Sequence, residues 1–140
     1  VLLGSGAALF LAYASEILFN LSPCSLCVYQ RIPYFILLLL SGAAILLPGA
    51  RKYSIPLVVI LYIIEISLAG YHVGVEHYWI EDVYTCSTKN PASVLSFKEM
   101  ASSCSEVSFK FMMLSMAEWN VIYATGLLYV FLKIEKKNHE

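Results

Sequence analysis

Four apolar stretches, Val1–Leu21, Ile32–Leu47, Ile55–Tyr71 and Phe111–Leu132, dominate this chain of 140 residues. A helix that crosses a bilayer needs about 20 mostly apolar residues, and lipid admits helices and closed barrels as its only spanning structures. The first and last stretches reach that length unaided. Charged residues supply only 14% of the chain, against roughly 25% in an ordinary soluble domain. The predicted fold is therefore all-α, an integral membrane four-helix bundle. It forms one domain over residues 1–140, with spans at about 1–21, 27–48, 53–73 and 111–132 and a long outer loop at about 74–110. A net charge of −1 gives no electrostatic ground for a nucleic-acid partner.

The second span is too short if it opens at Pro33. Fifteen residues run from Pro33 to Leu47, roughly 22 Å of helix against a core about 30 Å thick. The helix is expected to begin near Leu26 or Cys27, with Pro33 in its first turns. The first stretch is read as a retained span, although Ala12-Tyr13-Ala14 also resembles a signal-peptidase site. Arg51 and Lys52 join the second and third spans, and Lys133, Lys136 and Lys137 follow the fourth. The positive-inside rule assigns both sets to the cytoplasm. All four cysteines, Cys24, Cys27, Cys86 and Cys104, then face outward, where disulfides persist. Within the outer loop Asn90-Pro91 reads as the start of a short helix.

Cys24 and Cys27 form a C-x-x-C pair at a helix start, where the helix dipole favours a thiolate. Arg31 lies four residues beyond Cys27 and is expected on the same face. Together these make Cys27 the better electron donor and leave Cys24 the more exposed to an incoming thiol. A zinc site built from all four cysteines is disfavoured on the oxidising side, so no metal is expected. Two structural disulfides are a weaker reading, because a C-x-x-C bridge closes too small a loop to gain much. For Cys86 and Cys104, an exchangeable disulfide and a structural clip both remain open. A relay of two disulfides needs a more oxidising terminal acceptor, and in a bilayer a lipophilic quinone is the available carrier.

CSLCVYQR at residues 24–31 resembles the signature of the disulfide bond formation protein B (DsbB) family. Glu76-His77 and FKFMMLSMAEW at residues 109–119 resemble two further family segments, in the right order along nearly the whole chain. The resemblance implies a bacterial inner-membrane, multi-pass enzyme with its cysteine loops periplasmic and Arg51, Lys52 and the C-terminus cytoplasmic. It implies a DsbA-like thioredoxin-fold partner, reoxidised at Cys86 with Cys104 as that residue's mate. Electrons would pass to Cys24–Cys27 and then to non-covalent ubiquinone or menaquinone, the general route that keeps a periplasm oxidising. Cys27, Arg31 and His77 would be the residues at the quinone. Gln30 departs from the family pattern, which leads one to expect an acidic residue there. A non-catalytic, disulfide-clipped membrane scaffold is the alternative reading.

Glu65 lies about twelve residues into the third span, where a carboxylate is costly. A proton-relay role and a structural hydrogen-bonded role are both open for it. His72 and His77 are five residues apart and do not share a helix face.

Overall fold

A computed structural model describes residues 1–20, 23–47, 49, 51–81 and 110–139. Its elements in chain order are α1 (Leu2–Phe19), α2 (Ser25–Tyr29), α3 (Arg31–Leu46), α4 (Arg51–Glu76), a hairpin of β1 (Lys110–Phe111) with β2 (Leu114–Ser115), and α5 (Met116–His139). Helix α1 packs on α3, α3 on α4 and α4 on α5. The ring closes where Tyr123 of α5 donates to the carbonyl of Gly4 on α1, at 2.9 Å. A Cβ on Gly4 would stand 2.8 Å from Leu127 Cδ2. Small residues let membrane helices approach this closely, and packing rather than water exclusion holds them there.

Three helical segments, Leu2–Phe19, Ser25–Leu46 and Tyr53–Glu76, are long and apolar enough to cross a membrane. Their outer faces are unmistakably apolar: Leu3 is 87% exposed, and Phe10, Ile17, Leu39 and Leu46 also point outward. Helix α5, expected as a span from residue 111, instead starts at Met116. The preceding residues turn back as the hairpin, pairing Phe111 with Leu114. Met112 and Met113, its two central residues, have φ of 52° and 71°. That is the turn geometry that usually selects Asn-Gly, so two methionines gave no signal of it.

The second span begins at Ser25, ahead of Pro33, but it is broken. Gln30 ends α2 and opens α3. Proline has no N–H, so Pro33 cannot bond the carbonyl of Tyr29, and its ring crowds that oxygen. Helix α4 runs past its expected end at residue 73 to Glu76. There Tyr78 adopts φ 57°, and the amides of Trp79 and Ile80 fold back onto the Gly74 carbonyl at 2.9 and 3.2 Å.

The interior has three layers. Leu9, Tyr34, Leu37, Val58 and Tyr62 form an apolar cluster. Cys24, Leu26 and Val75 form a second, at the end of the bundle where α1 and α4 finish and α3 and α5 begin. Between them lies a polar layer of Gln30, Tyr34, Glu65 and Asn120, linked by side-chain hydrogen bonds.

Candidate functional site

Cys24 is the N-cap of α2, with extended backbone at φ −73° and ψ 165°. Its sulfur folds back over the helix start and accepts from the Cys27 amide at 3.5 Å. The two sulfurs stand 3.3 Å apart as a hydrogen-bonded dithiol. Cys24 is buried, at 5% exposure, against Leu26 and Val75, whereas Cys27 is half-buried. The expected order of exposure is thus reversed. A capping side chain turns inward over the first turn, and here that direction leads to α4.

His72 is what Cys24 meets there. Its Nε2 lies 3.5 Å from Cys24 Sγ, and its Nδ1 lies 3.1 Å from Gln30 Nε2. A chain of hydrogen bonds sets the direction of that second contact. Asn120 Nδ2 donates to Glu65 Oε1 at 2.6 Å and to Gln30 Oε1 at 3.1 Å. Gln30 therefore has its amide hydrogens left for His72, and Nδ1 accepts. The imidazole proton then sits on Nε2, facing the sulfur, because a neutral ring has one donor and one acceptor nitrogen. Tyr34 completes the set by donating to Asn120 Oδ1 at 2.8 Å.

A second branch leads outward. His72 Nε2 is 3.7 Å from Glu76 Oε1, and Ser115 donates its hydroxyl to the other oxygen of Glu76. The Ser115 amide donates to Glu118 at 2.7 Å, and Glu118 meets His77 Nε2 at 3.1 Å. His77 is half exposed and stacks on Trp79, with ring centroids 5.1 Å apart. The structure therefore brings His72, not His77, to the sulfurs. Residues Glu65, Ala69 and His72 fall at i, i+4 and i+7 and are all buried, while His77 falls off that face. The signal that could have found His72 was its two-turn spacing from Glu65.

Arg31 was expected on the face of Cys27. Its guanidinium instead reaches α1, where both terminal nitrogens engage both carboxylate oxygens of Glu16. It also lies 4.6 Å above the Tyr13 ring. Gln30 keeps helical φ of −64° and ψ of −18° and bonds the Leu26 carbonyl at 3.0 Å, so Arg31 parts from Cys27 by the direction of its side chain toward Glu16. Arg31 Nε is buried with no hydrogen-bond partner among the described residues. Cys86 and Cys104, and the helix expected after Asn90, lie outside the described residues.

Between α2–α3 and α4 runs a groove of about 290 Å³, which reaches the cluster around Cys24 through Leu26. Leu26, Tyr29, Ile32, Pro33, Leu61 and Ile64 line it. Ile32 and Ile64 are also outward-facing, so the groove opens sideways toward the lipid-facing surface.

Compared with known families, residues 1–134 match the one described as disulfide bond formation protein DsbB. An uncharacterized protein of Rickettsia prowazekii (strain Madrid E) is 32% identical over 130 residues, which cover 86% of this chain and 76% of that one. No solved structure matches.

Proposed function

This chain belongs to the DsbB family of membrane proteins for disulfide bond formation, and from that premise we propose that it is a thiol:quinone oxidoreductase which reoxidises a periplasmic DsbA-like dithiol. The observation that carries the reading is the Cys24–Cys27 dithiol held beside a buried imidazole, with an apolar groove open to lipid that shares Leu26 with the cluster around Cys24.

In this reading the partner's dithiol attacks the Cys86–Cys104 disulfide, leaving the partner oxidised and that pair reduced. Cys86 and Cys104 then reduce Cys24–Cys27 by thiol–disulfide exchange, two electrons and two protons passing at each stage. A quinone, when bound, accepts the two electrons and two protons that the dithiol releases. The residues present fit such a group. The groove walls are aliphatic and aromatic, suited to a ring and the start of an isoprenoid tail, and its volume is close to the lower end of small-molecule sites, about 300 Å³. Arg31 lies between the groove residues Tyr29 and Ile32 in sequence, but its guanidinium is held by Glu16 and Tyr13 on α1, so a part at the quinone would require it to turn from α1. His72 holds a proton at Nε2 beside Cys24, and Glu76, Ser115 and Glu118 link that nitrogen outward to His77. Sidedness follows the lysine and arginine bias, with Arg51, Lys52 and the C-terminal lysines cytoplasmic and the cysteines periplasmic.

The test mixes purified protein with a reduced DsbA-like dithiol and a short-chain quinone and follows quinone absorbance. Turnover in the wild type and none in Cys27→Ala is expected. No turnover, or equal rates in both proteins, would overturn the proposal in favour of a non-catalytic scaffold.

A further inference from the structure

We propose that in the reduced protein Cys24, Cys27 and His72 bind one thiophilic divalent cation of the zinc class, with water as the fourth ligand. The donor atoms Cys24 Sγ, Cys27 Sγ and His72 Nε2 all lie within 4.8 Å of one another. Tetrahedral zinc, with Zn–S about 2.3 Å and Zn–N about 2.0 Å, holds two sulfurs about 3.8 Å apart and a sulfur and a nitrogen about 3.5 Å apart. The observed separations are 3.3 Å between the sulfurs and 3.5 Å from Cys24 to His72. The imidazole already stands at a ligand's distance from Cys24 and within 4.8 Å of the Cys27 sulfur, and the sulfurs need open by about half an ångström. Glu76 Oε1 lies 3.7 Å from the same nitrogen but does not belong to the group of mutually close donors, so water takes the fourth position.

The surroundings suit a ligated imidazole. A metal-binding histidine usually has its other ring nitrogen held by an outer partner, and here Gln30 holds Nδ1. On metal binding the ring proton moves to Nδ1, and Gln30 turns its amide to present the oxygen, giving up the hydrogen bond it accepts from Asn120. The balance is simple: two thiols and one divalent ion give a dithiolate complex and two protons, and no electron moves. The four-cysteine zinc centre weighed from the sequence would need Cys86 and Cys104; this one needs neither.

The site exists only while the pair is reduced, because a disulfide has no thiolate to offer. A bound cation would hold the electrons in place, since the pair cannot oxidise until the ion leaves. That last consequence rests on the proposed oxidase reading; the binding itself rests on the geometry of the dithiol alone.

The experiment uses the full chain in detergent carrying Cys86→Ser and Cys104→Ser, reduced and freed of reductant, then titrated with Co²⁺ and back-titrated with Zn²⁺. One Co²⁺ per chain is expected, with sulfur-to-cobalt charge transfer and tetrahedral ligand-field bands that Zn²⁺ abolishes. The disulfide form should bind none. His72→Ala should weaken binding by more than about tenfold, the lower end of what even outer-shell changes cost. His72→Cys should restore binding and strengthen the charge-transfer band, which separates a lost ligand from a lost fold. Octahedral cobalt without sulfur bands, or equal affinity in wild type and His72→Ala, overturns the site. Zinc binding by this variant with no thiol oxidase turnover in the four-cysteine protein would leave the site standing and sink the oxidase reading; turnover in the four-cysteine protein without binding here does the reverse.

Discussion

Asn120 on α5 donates to Glu65 on α4 across 2.6 Å, and the same amide nitrogen donates to Gln30 on the broken second helix. One side chain thus joins three helical segments inside the bundle. Its removal leaves Glu65, which is fully buried, and Gln30 without that donor. Asn120→Leu is expected to destabilise the protein by about 1–3 kcal/mol, the cost of stranding buried polar groups. Thermal unfolding in detergent checks this, and Glu65→Gln combined with Asn120→Leu should cost less than the sum of the single changes.

His72 and His77 should separate cleanly in kinetics. His72 faces Cys24, whereas His77 lies at the exposed end of the outward branch. His72→Ala is expected to lower turnover with a saturating quinone by about 10²-fold, the smaller end of acid–base contributions. His77→Ala should stay near wild type. Equal losses would mean that the histidine beside the sulfur has no special part.

Arg31→Ala is expected to raise the quinone KM more than the KM for the DsbA-like partner. Because Glu16 holds the guanidinium on α1 with a two-pronged ion pair, Glu16→Ala should free it to turn and shift the same constant in the opposite direction. Steady-state kinetics with each substrate varied in turn provides the measurement.

Gly4 sets the closeness of α1 to α5. Gly4→Ala alone is expected to cost no more than about 1 kcal/mol, the low end of overpacking, because the atoms it meets are the ends of the Leu127 side chain, which can turn aside. In a Leu127→Ala background the same change should cost much less. A double-mutant cycle on thermal stability reads the difference, and additive effects would contradict the contact.

Three of the four expected spans were legible because apolar run length is set by bilayer thickness, a constraint that needs no partner. Among the described residues α5 falls short of the apolarity of the other three. The same arithmetic placed the start of the second helix before Pro33. It did not reveal the break at Gln30, which depends on how one missing N–H and a crowded carbonyl are accommodated. The Met112-Met113 turn was hidden because neither residue favours positive φ. At the site, the C-x-x-C pair announced itself by spacing. Asn120, a single amide in an apolar run, acquired meaning only through neighbours 55 and 90 residues away. Arg31 was assigned to Cys27 from helical spacing, and its ion pair with Glu16 could not be read from a pattern that ignores α1. The exposure of Cys24 was misjudged because dipole reasoning says where charge is favoured, not where a capping side chain points.

The groove between α2–α3 and α4 opens on the flank of the bundle, among Ile32 and Ile64, rather than toward water. Any occupant must arrive by lateral diffusion within the leaflet. Its supply is then governed by mole fraction in the surrounding lipid, so diluting the vesicles in buffer changes nothing, while adding lipid at fixed carrier starves the protein.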